Sequence, residues 1–210
     1  MLGIHDYWLF VLAGVLLNLT PGQDTFYILG SSIAQGRRIG VAAALGICSG
    51  CVVHTLAAAA GLSAILATSA AAFAVVKLAG AAYLIYLGIR YLRAAHDDGA
   101  LTTGAPVSRD AWKAFRQGMV TNVLNPKVAL FFLAFLPQFI DPESPAKVAA
   151  FIALGLTFIA TGTAWCLFLA LAAASVRRFF AGHPAAFTRV SQAAGALFVG
   201  LGVRLALSER

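Results

Sequence analysis

Two stretches place polar and ionisable residues inside apolar runs: "NLTPGQDTF" at residues 18–26 and "NVLNPKVALFF" at residues 122–132. Each has an Asn, then a Pro, then an apolar continuation. A proline removes a backbone donor and clashes with the preceding turn, and Gly22 loosens the first stretch further. A helix broken at Pro21 or Pro126 leaves free carbonyls on one side and free amides on the other. The amides carry the positive end of a helix dipole and favour an anion, and the carbonyls favour a cation. One broken helix therefore offers complementary ends to a zwitterion. Asp24 follows the first break and Lys127 the second, while Asn18, Gln23, Asn122 and Asn125 add neutral donors and acceptors. Ionisable groups at membrane depth are costly and are candidates for function. The candidate substrate-binding set is thus Asn18, Pro21, Gly22, Gln23, Asp24, Asn122, Asn125, Pro126 and Lys127. Asp24 is also the candidate proton-coupling group, since a carboxylate in low-dielectric surroundings can bind and release protons near neutral pH.

Plainer roles compete for the same residues. Asp24 would serve as the N-cap of the helix after the break. Lys127 would snorkel to an interface, although it lies about 11 residues past Arg116, roughly 16 Å along a helix. Lys77, nearer a surface, fits snorkelling as well as function. No nucleophile–base pair or nucleotide-binding loop is recognisable, so neither enzyme activity nor a cofactor is expected, and no metal site is assigned.

These residues need a membrane scaffold to hold them. Of the 210 residues, 60% are hydrophobic and 11% charged, and the mean hydropathy is +0.86. A soluble domain carries roughly 25% charged residues, so the composition implies an all-α, multi-pass membrane protein in contact with the lipid bilayer. The net charge of +7 resides in loops and reads as topology, not as nucleic-acid binding. Only His5 and Asp6 precede the first apolar run, without a basic start, so it reads as a permanent span rather than a signal peptide.

Six apolar runs are long enough to cross a bilayer: residues 7–33, 41–67, 71–92, 115–139, 148–176 and 187–207. Helices 1 and 4 are the broken ones. Residues 93–112 are rich in Gly, Asp and Thr, which suggests a first three-helix repeat over 1–95, a cytoplasmic linker over 96–110 and a second repeat over 111–210. Helix 3 has "LAGAAYLIYLGIR" and helix 6 "AAGALFVGLGVR"; helix 1 has "GVLLNL" and helix 4 "GMVTNV". Three helices per copy is an odd number, so the second copy enters from the opposite side, giving an inverted repeat. Arg37, Arg38, Arg90, Arg93, Arg109, Lys113, Arg116, Arg177, Arg178 and Arg189 lie at the loops after helices 1, 3 and 5, against Lys147, Arg204 and Arg210 on the other side. The positive-inside rule then puts both termini outside the cytoplasm.

"CSGCVVH" sets Cys48, Cys51 and His54 at spacings of three on one helical face. Such a row would suit a thiol–disulfide electron carrier or a heavy-metal exporter. The simpler reading is packing, since Ala42, Gly46 and Gly50 form a small-residue stripe on the same helix. That contact is either internal or that of a homodimer. Three cysteines, counting Cys166, do not make a disulfide framework. A substrate with a small apolar or hydroxylated side chain is expected, because Asp24 is the sole acidic residue near the breaks. Phe26, Tyr27, Phe131 and Phe132 are candidates for an apolar wall.

Taken together, "TPGQDTFYILGSSIAQGRRIGVAAALG", "KLAGAAYLIYLGIRYLR", "NPKVALFFLAFLPQF" and "GALFVGLGVRL" resemble the LysE/RhtB family of bacterial amino-acid exporters over nearly the whole chain. The resemblance implies efflux of amino acids or their derivatives from the cytoplasm across the bacterial inner membrane, driven by an ion gradient such as protons by antiport. Pro21, Gly22 and Asp24 match the family's first motif, and Asn125, Pro126 and Lys127 match the second. The first motif usually reads Pro-Gly-Pro followed by Asn or Asp. Here Gln23 replaces its second proline.

Overall fold

Pro21 and Pro126 each interrupt a helix, and the rest of the architecture is arranged around the two interruptions. The computed structural model describes residues 2–62, 70–94, 110–182 and 184–207. Among these residues the regular elements are helices: α1 Tyr7–Leu19, α2 Gln23–Gln35, α3 Arg37–Ala57, α4 Ala70–Ala94, α5 Ala111–Val123, α6 Pro126–Leu130, α7 Lys147–Gly182 and α8 Pro184–Leu207. A π-helical turn, Ala58–Leu62, extends α3. A second, Phe131–Phe135, followed by a 3-10 turn, Leu136–Phe139, extends α6. Two helical stretches, Arg37–Gly61 and Lys147–Val176, are long and apolar enough to cross a membrane, and the bent pair Ala111–Val123 and Pro126–Phe139 makes a third if it is one span. Most of the linker expected over 96–110 lies outside the described residues, as does the side chain of Lys77.

The run expected as a first span over 7–33 is two helices of 13 residues each. The chain turns extended at Thr20 (ψ 119°) because the residue before a proline is pushed out of the helical region. Gly22, also extended, caps α2. Gly36 then turns the chain into α3 with φ +89°, a conformation suited to glycine. Around Pro126 the two helices meet at 48°.

Glycines and one hydrogen bond reveal the sense of three of the helix pairings. In α3 and α5, Gly46 lies against the Phe115 carbonyl, and a methyl at Gly50 would sit 2.6 Å from Asn122 Oδ1. Numbers rise together, so the pair is parallel, and the small-residue stripe is an internal contact. In α4 and α8, a methyl at Gly88 would meet the Gly195 carbonyl at 2.6 Å, and one at Gly202 the Ala81 carbonyl at 2.9 Å. Numbers run in opposite directions, so this pair is antiparallel. The α1–α2 arm runs parallel to α7: a methyl on Gly14 would lie 3.2 Å from the Phe158 ring, and Ser32 Oγ donates to Ala170 O at 3.0 Å.

Phe10, Phe131, Phe135, Phe139 and Phe158 form the apolar centre that fixes α1 to the second half, with ring centroids 4.8–6.5 Å apart along the chain of contacts. Phe131 and Phe132 are buried here. At one end of the bundle the N-terminal residues are pinned to the turn before α7. His5 N donates to Phe139 O, Asp141 N to Gly3 O and Ser144 Oγ to Leu2 O. Arg204 of α8 reaches the same end and donates to Asp6 Oδ2 at 2.9 Å.

Candidate binding site between the broken helices

Break one and break two are parts of a single structure. Pro21 ends α1 and leaves the carbonyls of Leu17 and Thr20 without helical partners. Lys127, the second residue of α6, sends its ammonium group across to both, with Nζ donating to Leu17 O and Thr20 O at 3.1 Å each. The freed carbonyls thus find their cation in the protein itself. Gly22 allows the approach: a methyl there would come to 3.4 Å from Lys127 Nζ.

Asp24 is not the cap of α2. Gly22 occupies that position, and Asp24 lies in the first turn, where a negative charge still complements the helix dipole. Its Oδ2 accepts a 2.9 Å hydrogen bond from Asn122 Nδ2. Asn122 is oriented by its other contacts. Cys51 Sγ donates to its Oδ1 at 3.5 Å, and His54 Nε2 lies 3.1 Å from its backbone oxygen, with the imidazole stacked on Phe132. His54 is therefore a hydrogen-bonded packing residue that supports Asn122. Asn125 Oδ1 caps α6 by accepting from Lys127 N at 3.0 Å, and Pro126 follows at the first helical position, where its missing N–H costs nothing. Gln23 Nε2 donates to Thr121 O at 3.0 Å. The residue replacing a proline in the first motif thereby adds a tie between the two breaks.

Between these groups lies a cavity of about 30 Å³, enough for about one or two waters and too small for an amino acid. Asn18, Asp24, Asn122 and Lys127 line it, whereas Pro21, Gly22, Gln23, Asn125 and Pro126 shape the breaks around it. The apolar lining comes from Leu17, Ile28, Ile47, Val128, Phe158, Ile159 and Leu169. Phe26, Tyr27, Phe131 and Phe132 are not part of it. Phe131 and Phe132 belong to the aromatic centre, and Tyr27 packs against α5, donating to Ala114 O at 2.9 Å.

Helix α7 contributes more than its sequence suggested. Phe158, Gly162, Thr163, Trp165 and Cys166 all border the cavity. The available signal was the segment "TGTAWC", 161–166, the most polar stretch of that apolar run. Cys48, Cys51 and Cys166 meet at the same wall. All three are free thiols. Among the described residues no three His, Cys, Asp or Glu side chains are grouped to hold a metal ion.

Comparison with known proteins agrees with the motifs. Residues 15–209 match the family described as LysE type translocator. The chain belongs to this family. It is 31% identical over 206 residues to a leucine efflux protein of Salmonella typhimurium, covering 97% of this chain and 96% of the relative. A homoserine/homoserine lactone efflux protein of the same organism is 33% identical over 202 residues, 96% of each chain. An uncharacterized membrane protein of Pseudomonas aeruginosa is 32% identical over 208 residues, 98% of this chain and 96% of the relative. No solved structure matches. LysE family membership, full-length similarity to efflux proteins and the apolar helices identify a membrane protein of a translocator family.

Proposed function

We propose that this protein is a secondary transporter that exports neutral amino acids from the cytoplasm across the inner membrane in exchange for protons. The observation that carries this reading is the joining of the two breaks: Lys127 caps the carbonyls of the first, and Asn122 beside the second holds Asp24. Membrane-depth irregular backbone is tolerated where it is buried or lines a cavity. Here it surrounds a space with a carboxylate, amides and an aliphatic wall. Relatives named for leucine and homoserine efflux support a substrate with an α-amino group and a small neutral side chain.

The scaffold in this reading has six spans in two inverted repeats. The parallel senses of α3 with α5 and of the α1–α2 arm with α7, and the antiparallel sense of α4 with α8, support it, because each follows from a second half entered from the opposite side. The charge distribution between loops orients both termini outward. The cavity is too small for an amino acid as it stands, and rocking of the halves would open it to each side in turn.

Asp24 performs the coupling. Ionised, it holds the substrate's ammonium group. Protonation from the outside releases that group and permits the return without substrate, and loss of the proton inside restores the charge. The test is efflux from proteoliposomes loaded with a panel of amino acids under an imposed pH gradient. We expect wild-type protein to accelerate efflux of neutral amino acids, and Asp24→Asn to lose the response to the gradient while retaining slow exchange. Gradient-driven efflux by Asp24→Asn at the wild-type rate across a range of outside pH would place coupling elsewhere.

A further inference from the structure

Deciding how a substrate lies in this site requires an account of its second charge. Lys127, the cation nearest at hand, commits two of its three N–H donors to carbonyls. Asn122 is also engaged, with Asp24 and Cys51. Three buried polar atoms of the lining are without a hydrogen-bond partner among the described residues. They are one acceptor, Asp24 Oδ1, and two donors, Asn18 Nδ2 and Trp165 Nε1. Buried unpartnered polar atoms are few in native proteins and call for a reason. Two donors and one anionic acceptor around a single cavity match the carboxylate and ammonium group of an α-amino acid.

We infer that Asn18 and Trp165 form the subsite for the substrate's α-carboxylate, opposite Asp24; this deepens, and rests on, the export reading above. The two side chains come from different elements, yet they meet. Gly162 and Trp165 are three residues apart on α7 and share a face. The Cβ position of Gly162 lies 3.4 Å from Asn18 Nδ2, so the amide packs directly against this face of α7. The indole is steadied from outside by Phe168, stacked at 5.4 Å. Tryptophan donates and never accepts through its ring nitrogen, so the Trp165 side of this wall suits an anion.

The same pair separates two spaces. Beyond it lies an apolar crevice of about 390 Å³, and Asn18 and Trp165 are the residues that both spaces share.

The experiment compares leucine with leucinamide, which has the same side chain and ammonium group but no carboxylate, in proteoliposomes of full-length protein. Wild-type protein is expected to prefer leucine. Trp165→Phe should raise the half-saturating concentration for leucine by about tenfold, the scale of a hydrogen bond to a charged group, and leave that for leucinamide within about twofold, so the preference collapses. A general packing defect would instead weaken both probes together. A preference unchanged in Trp165→Phe, or no wild-type preference for the free acid, overturns the subsite while leaving export standing; wild-type protein that moves no neutral amino acid overturns both. Should Trp165→Phe fail to fold, a Trp8→Phe, Trp112→Phe protein keeps Trp165 as the last of three tryptophans, and both replaced residues are exposed. Leucine should shift its fluorescence and leucinamide should not; no shift at saturating leucine overturns the proposal.

Discussion

Lys127→Met is the most revealing single change outside that subsite, because Lys127 joins the two halves. Methionine keeps the length and apolar stem of the side chain but removes the ammonium group. The carbonyls of Leu17 and Thr20, each accepting at 3.1 Å, then lose a charged donor at a place where the proline break leaves no helical substitute. A buried acceptor left without its partner costs about 1–3 kcal/mol, so two cost roughly 2–6 kcal/mol. Asp24 also loses the positive charge across the cavity, which adds to the penalty rather than offsetting it. For a chain of this size 1 kcal/mol shifts the melting temperature by about 2–4 °C, so the lower bound alone is a fall of about 4 °C. The assay is thermal unfolding of purified protein in detergent, alongside efflux from proteoliposomes. Lys127→Met should melt at least that much lower and export poorly. Adding Asp24→Asn removes the charge left unbalanced, and the double variant should be less damaged than the two single effects added together, by about 0.5–3 kcal/mol. A Lys127→Met protein that melts within about 2 °C of wild type, below the smallest shift expected, would show that the ammonium group does not hold the break.

Gly46→Leu drives a side chain into the Phe115 carbonyl; overpacking of this kind costs about 1–3 kcal/mol or more, so folded yield and melting temperature should fall without any change in the oligomeric state of the surviving protein, and a wild-type melt would remove the α3–α5 contact as the reason for the glycine. Replacing Cys48 and Cys51 with Ala together deletes one weak thiol donor to Asn122, and efflux of amino acids should persist within about tenfold, or about 1.4 kcal/mol; complete loss would return the thiols to the centre of the mechanism. At the bundle end, hydrogen bonding from Arg204 holds the Asp6 carboxyl below the usual carboxylate range. A lowered folded-state pKa gives stability that is present above the unfolded value, about 3.9, and is lost as pH falls through the folded one, so wild-type stability should decline more steeply below about pH 4 than that of Asp6→Asn; identical pH profiles would show that the pair does not pin the N-terminus.

Much of this was legible in residue order. Proline at 21 and 126 can only interrupt a helix, and an ionisable residue beside each interruption points to one shared purpose. The stripe of Ala42, Gly46 and Gly50 announced a close helix contact, because close approach requires small side chains. What residue order could not supply was the partner of each group. Asp24 looked equally able to cap α2, and the cap went to Gly22 because the extended residue before the helix is the one that caps it. Lys127 looked suited to a substrate anion, and its ammonium went instead to carbonyls more than a hundred positions earlier in the chain. Phe26, Tyr27, Phe131 and Phe132 were candidates for an apolar wall, but Phe131 and Phe132 lie in a π-helical turn with both side chains buried in the core. Cys166 and Trp165 gave no periodic signal, since an indole or a thiol in an apolar helix reads as packing until a cavity is found beside it.

In the inverted-repeat scaffold proposed above the two halves are alike in plan and opposed in charge, and that opposition would let a repeat bind an asymmetric molecule. "GVLLNL" and "GMVTNV" place Asn18 and Asn122 at matching points before their breaks. Asn122 is consumed: its amide holds Asp24, and its oxygen accepts from Cys51. Asn18 keeps its amide unpartnered beside Gly162. An exact repeat would put the same charge at both breaks and would suit a symmetric dianion or dication. Here the first break carries a carboxylate, and the second carries a lysine whose charge is absorbed by the first break's own carbonyls. The free groups that remain are an acceptor on one side and neutral donors on the other, which is the polarity of an amino acid. Neutral donors have a further consequence for transport. In the transport cycle proposed above they would hold a carboxylate by hydrogen bonds without the desolvated ion pair that a free lysine would form, and protonation of Asp24 would then suffice for release.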